Sequence, residues 1–228
     1  MREFDSTFLR ILEPEVMDGD EQCDAYASAD FSDVNMDFVR RWLEVFPEAR
    51  QGLWLDLGCG PAEIPGRVCT ALPEVSMVGV DASNAMISQA KRRISNLGLS
   101  GRIELFEGYI SDLSRPVDGF DALMSNSLLH HLPDPELLWR EVLRLGKAGA
   151  PLMVMDLRRP RTQDDAAALV ALHAEGDPDV LRRDFFNSLL ASFTPQEVRG
   201  QLDQCGLTTL QVASISDRHL LVWGHLPG

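Results

Sequence analysis

Two glycines, Gly58 and Gly60, follow the apolar run Leu53-Trp54-Leu55-Asp56-Leu57, and an acid, Asp81, ends the next apolar run 21 residues after the second glycine. Glycine has no Cβ, so a chain leaving a strand through Gly58-Cys59-Gly60 can take angles closed to other residues and bring main-chain N–H groups against a ligand. A small residue such as Cys59 suits the middle of that turn. Asp56, one step inside it, can answer a cationic group or order a water. An acid ending the second strand is placed to accept both hydroxyls of a ribose, as in doubly wound nucleotide folds; Asp81 stands there with Ala82 beside it. The dinucleotide fingerprint G-x-G-x-x-G would need a third glycine where Glu63 stands, and that carboxylate would face the pyrophosphate. The pattern therefore disfavours nicotinamide cofactors and favours a nucleoside cofactor without phosphates.

For these groups to converge they must stand at strand ends. From residue 53 onward, strand-length apolar runs alternate with helical patterns, which predicts a parallel sheet covered on both faces. Strands are expected at 53–57, 75–80, 103–106, 120–125 and 151–156. Helices are expected near 62–72, with Pro61 in the first turn, and after Ser83, with Met86, Ile87, Ala90, Ile94 and Leu97 on one face and Gly98 at the end. Another follows Asp134-Pro135 and carries Leu137, Leu138, Val142 and Leu145. Upstream, Asp33 can cap a helix whose apolar positions are Met36, Val39, Leu43 and Phe46. Thr194-Pro195-Gln196-Glu197 reads as a capping box closed by Gly206. The runs 208–215 and 219–224 are too close for a crossover and must pair as a hairpin. The expectation is an α/β fold, a doubly wound, mostly parallel seven-stranded sheet with a C-terminal antiparallel hairpin and helices on both faces. One domain spans 1–228, with 1–32 as an N-terminal cap and 158–193 as a helical insertion over the site, where Arg182, Arg183, Phe185, Phe186 and Asn187 could wall a pocket.

Ligands of such sheets lie outside the carboxyl ends of the strands, where strand order reverses. This selects Gly58, Gly60 and Asp81, then Tyr109, Ile110 and Asp112 after the third strand, Asn126 and His130 after the fourth, and Asp156 and Arg158 after the fifth. His130 can serve as a general base, since an imidazole titrates near neutral pH, or as a positioning group. Asp156 is a candidate acid and Arg158 a candidate clamp for an anionic acceptor.

The 228 residues are 45% hydrophobic and 25% charged, and the net charge is −14. That charge opposes nucleic-acid binding, which rests on Lys and Arg neutralising phosphates; a small acceptor fits better, and a protein partner or a homodimer stays open. No apolar run approaches the roughly 18 residues of a membrane span, and the N-terminus lacks a signal-peptide pattern, so a cytoplasmic protein is expected. Cys23, Cys59, Cys69 and Cys205 have neither metal-ligand nor disulfide-framework spacing.

Leu55-Asp56-Leu57-Gly58-Cys59-Gly60-Pro61-Ala62 resembles motif I of the class I S-adenosylmethionine-dependent methyltransferases. Ser125-Asn126-Ser127-Leu128-Leu129-His130-His131-Leu132-Pro133 resembles the S-x-x-L-H-H-L-x-D/P stretch of many small-molecule members. The resemblance implies S-adenosylmethionine as cofactor and methyl transfer to a small molecule by in-line displacement. It implies Gly58 and Gly60 near the methionine part, Asp81 on the ribose and Asn126 against the donor. Where the family often has an adenine-binding Asp, this chain has Tyr109; Asp112 or the backbone of Ile110 is the expected substitute. Tyr26, in the cap, can pack its ring on a sulfonium. Another transfer chemistry, or a regulatory role in which the donor is bound without turnover, is the alternative.

Overall fold

The computed structural model describes residues 8–13, 32–114 and 116–228. Seven strands form one sheet: β1 (Gln51–Leu57), β2 (Glu74–Asp81), β3 (Ile103–Glu107), β4 (Ala122–Asn126), β5 (Pro151–Leu157), β6 (Gln211–Ser214) and β7 (His219–His225), in the order β3-β2-β1-β4-β5-β7-β6. β1 to β5 are parallel, and β7 alone runs against its neighbours β5 and β6. Strand order reverses between β1 and β4. The expected sheet and terminal hairpin are present, the hairpin entering at 211 rather than 208.

Among the described residues, seven helices of four residues or more accompany it: α1 (Ser32–Val45), α2 (Glu63–Ala71), α3 (Asn84–Asn96), α4 (Glu136–Leu145), α5 (Gln163–His173), α6 (Asp179–Ala191) and α7 (Pro195–Gln204). Side chains alternate across a strand, so each strand feeds two cores. Leu55, Leu57, Leu123 and Val154 meet Leu138 and Val142 of α4 and Val198 and Leu202 of α7. Trp54, Met77, Met124 and Met155 meet Phe38 and Trp42 of α1, Val68 of α2 and Ile94 of α3. A third cluster joins Leu157, at the end of β5, to α5 and α6, with Phe185 and Phe186 packed against it. The insertion thus roofs the carboxyl end of β5.

Local chemistry explains most boundaries. The Ser83 hydroxyl accepts from Met86 N and caps α3, and Thr194 and Glu197 form the expected capping box on α7. Three expectations need correction. Pro61 lies outside α2, which starts after Ala62; Pro65 is the proline in its first turn, where its missing N–H costs nothing. Asp33 sits inside α1, and that helix buries Asn35, Phe38 and Trp42 while Met36 is 52% exposed. The aromatic residues decide the face because they hide the most apolar area. Leu97 is likewise exposed.

Trp42 holds α1 to the sheet, its ring 4.9 Å from Trp54 and 5.0 Å from Phe46. Trp42→Ala is expected to lower stability by about 3–5 kcal/mol, the usual cost of emptying a large aromatic site, as read from urea unfolding; a loss well under 1 kcal/mol would show that α1 is not integral to this core.

Candidate active site

The turn after β1 is a run of left-handed conformations: Gly58, Gly60 and Ala62 have φ of 73°, 52° and 56°. The two glycines answer different needs. A Cβ on Gly58 would come within 3.0 Å of Leu128, whereas one on Gly60 would meet nothing within 4 Å. Gly58 therefore lets the β4 turn pack close, and Gly60 borders open space. The Asp81 carboxylate fixes the turn, accepting from Gly60 N at 2.8 Å with one oxygen and from Ser83 N at 2.9 Å with the other. One acid thereby joins the end of β1 to the start of α3. Cys59 gives its N–H to Val80 O and tucks its sulfur beside Gly79; burial, with Asp56 and Asp81 nearby, pushes its thiol well up.

Asp56 and Asn126 face the same side of neighbouring strands, each two residues beyond a side chain of the second core, Trp54 and Met124. Asp56 is 2% exposed. Burial first, and the charge of Asp81 second, push its carboxyl up to about 8. The Asn126 Oδ1 atom is buried and has no hydrogen-bond partner among the described residues. A buried acid and an orphaned amide oxygen on the same face of adjacent strands, Asn126 lying two residues past the partner of Asp56, are acceptors that favour a hydrogen-bond donor, cationic by preference.

On the other face, Asp156 ends β5 wholly buried and gathers four donors. Its oxygens accept from Leu129 N at 2.6 Å, His130 N at 3.3 Å, Leu157 N at 2.6 Å and His130 Nδ1 at 2.5 Å. Burial opposes charge on both partners, but their mutual attraction prevails: Asp156 is held below the ordinary carboxylate range and His130 above the ordinary imidazole. Asp156 is thus an ionised partner and not an acid. His130, 3% exposed, keeps its proton on Nδ1 and leaves Nε2 for other work.

A family model described as a methyltransferase domain matches residues 51–189, well over half of the chain and the span from β1 into α6. The chain belongs to this methyltransferase family. Trans-aconitate 2-methyltransferase of Deinococcus radiodurans is 32% identical over 139 residues, which cover 60% of this chain and 49% of that protein. Demethylmenaquinone methyltransferase of Porphyromonas gingivalis is 30% identical over 107 residues, 46% of this chain and 44% of that protein. The chain spans about half or less of the length of the curated relatives it matches. Among solved structures, the plantazolicin methyltransferase BpumL in complex with a triazolic desmethylPZN analog and SAH gives a TM-score of 0.71 at 13% identity over 92% of both chains. A SAM-dependent methyltransferase from Aquifex aeolicus gives 0.64 at 16% identity, covering 89% of this chain and 97% of that one. At such identities the likeness is one of fold.

The methyltransferase fold brings Asp56, Gly58, Gly60, Asp81, Ala82 and Asn126 to the switch point of the sheet. The residues after β3 lie at its edge: Tyr109 is 66% exposed, Ile110 is buried, and Asp112 turns its carboxylate back to Tyr109 N at 3.3 Å. Tyr26 lies outside the described residues. Arg158 is drawn away from the site, its guanidinium donating to Asp217 O at 2.8 Å.

Sequence reasoning missed Arg10 and Glu13. Arg10 donates to the carbonyls of His130 and Leu132 at 2.7 and 2.9 Å and to Ala191 O at 2.5 Å; Glu13 accepts from Ser188 Oγ at 2.5 Å and pairs with His131 Nδ1. Nothing in their local sequence announces partners more than a hundred positions away. Glu13, His130 and His131 bring ligand-type atoms within 4.8 Å of one another; the Nδ1 atom of each ring already meets a carboxylate, and no ion is assigned to the group.

Because the folded protein binds a proton at Asp56 that the unfolded chain releases above about 3.8, stability should fall as pH climbs from about 4 to about 8. Asp56→Asn should therefore raise the melting temperature of the ligand-free protein at pH 8 and change it little at pH 4. Calorimetry across that range checks it; equal effects at both ends would mean that Asp56 is ionised in the fold.

Proposed function

We propose that this methyltransferase-family chain moves the methyl group of S-adenosylmethionine to a small-molecule acceptor by direct in-line displacement. The observation that carries the reading is the cradle at the switch point, where the Asp81 carboxylate braces an open Gly60 turn beside the unpartnered Asn126 oxygen. These residues fit that donor. A carboxylate offers about four lone-pair sites, so Asp81 can keep its two backbone bonds and still accept ribose hydroxyls. Asp56 and Asn126 present acceptors to the amino-acid end, and Asp56 ionises as a cation arrives, which replaces an empty-state penalty with an ion pair. Gly60 leaves room that any side chain would fill. Tyr109, Ile110 and Asp112 stand where the adenine edge would lie, and Cys59 shapes the turn without offering a group of its own.

The donor supplies a methyl group already activated by positive sulfur, so the protein's work is to orient, to exclude water and, where the acceptor must shed a proton, to take it. His130 is the group built for that last task. Asp156 holds Nδ1–H and so fixes which nitrogen accepts, the arrangement by which carboxylate-held imidazoles act as bases. Relatives named for trans-aconitate and demethylmenaquinone act on small acceptors, and the charge of −14 supports a small acceptor over a polyphosphate.

Asp81→Asn should weaken S-adenosylmethionine binding by at least about tenfold, since charge-assisted bonds are worth roughly 1.5–3 kcal/mol; unchanged affinity by calorimetry in the folded variant would remove Asp81 from the ribose. For a proton-bearing acceptor, His130→Asn should lower turnover by about 10²–10⁴-fold. It should also abolish the acidic limb of the rate profile, which in the native enzyme lies above the ordinary imidazole range because Asp156 favours the charged ring. A preserved limb would leave His130 a purely structural role.

A further inference from the structure

The N-terminal segment 8–13 is held against the β4–α4 turn and α6 in an unusual way. Its inward groups are polar, Arg10 and Glu13, whereas Leu9, Ile11 and Leu12 are exposed. One guanidinium takes the carbonyls of His130 and Leu132, which frame the short helical turn Leu129–His131, and also the carbonyl of Ala191 at the end of α6. Ile11 N adds a bond to Leu190 O at 3.1 Å. Three residues on, the Glu13 carboxylate joins His131 of the same turn to Ser188 of the same helix. The two imidazoles of that turn lie 4.0 Å apart, centre to centre, each held by its own carboxylate. Arg10 also lies over the Phe193 ring at 4.1 Å.

We infer that this segment is a latch that completes the acceptor side of the site, with Arg10 and Glu13 as positioning residues that act through the turn carrying His130. The inference rests on the catalytic reading of His130 given above. The β4–α4 turn has a backbone anchor at one end, where Asp156 takes the N–H groups of Leu129 and His130. The carbonyls of Leu128 and Leu129 accept from within the turn, and those of His130 and Leu132 go to Arg10. A planar fork satisfies several carbonyls from one rigid group, which a lysine cannot do. His130 and Asp156 are buried, 3% and 1% exposed, and Arg10 and Glu13 bond the turn that carries the ring. The segment thus bears on the position of the base and on its electrostatic setting. Among the described residues, the charged and titratable groups around the His130 ring include Asp156 from β5, His131 from its own turn, and Glu13 and Arg10 from the latch. Of the last two, Glu13 favours the charged ring and Arg10 opposes it.

That opposition gives a test that needs no acceptor. The ring resonances of His130, assigned with His130→Asn, are followed against pH by NMR in the full-length chain and in Glu13→Gln, Arg10→Ala and Arg10→Lys. With the latch as described, Glu13→Gln moves the His130 titration down and Arg10→Ala moves it up, each by up to roughly one unit as for a charge removed from close by. Arg10→Lys leaves the titration in place but loses amide-exchange protection at Leu132 and around Leu190–Phe193. S-Adenosylmethionine affinity stays within about twofold in all three, because their contacts lie away from the Gly60 cradle. A His130 titration that ignores both charge changes, or moves the same way in both, overturns the latch, and so does unaltered exchange in Arg10→Ala. If instead methyl transfer proves indifferent to His130→Asn, the catalytic reading falls while the titrations still report whether the latch is docked.

Discussion

A carboxylate buried in an apolar interior is stable only if donors surround it, and Asp156 meets that condition with four. Three are backbone N–H groups and one is the imidazole of His130. Because the backbone donors come from the turn after β4 and from the end of β5 itself, one side chain welds two strand ends, fixes a tautomer and sets the height of the histidine turn. The packing of α6 and the segment 8–13 on that turn depends on its staying there.

Asp81 does the corresponding task on the other side of the switch point, with different consequences. It bonds two backbone N–H groups across the β1 turn and the start of α3, and so braces a backbone turn rather than a side chain. Asp56, between them, has its carboxyl driven up by burial first and by the charge of Asp81 second. Two buried acids thus have opposite fates: the donors around Asp156 help hold its carboxyl down, whereas burial drives that of Asp56 up. Number and geometry of donors decide between them.

The division of labour follows from strand alternation. Even-numbered positions of β1 and β4, Asp56 and Asn126 among them, point to the side of α1, α2 and α3, while Asp156 points to the side of α4 and α7, where it holds His130. A sheet one residue out of register would bring Asp56 and Asp156 to the wrong faces. No helix among the described residues is long and apolar enough to cross a membrane, and the apolar strands here serve these two cores.

Period and punctuation in the sequence were enough to determine the element order, the parallel sheet, the terminal hairpin and the glycine turn with its acid 21 residues on, because strand alternation, helix caps and glycine turns are local and each residue carries its own constraint. Asp56, Gly58, Gly60, Asp81 and Asn126 could be named as neighbours for the same reason: in a doubly wound sheet the strand ends must meet. What only the tertiary structure decided is how each group is engaged. The exposed face of Met36 lost to Phe38 and Trp42 because aromatic area outweighs spacing. Gly58 proved to serve Leu128, Asp156 proved to be the partner of His130, and Arg10 and Glu13 joined the site from more than a hundred residues away. Such pairings depend on distance in space and on the loss of water, and neither quantity is written in the order of residues along a chain.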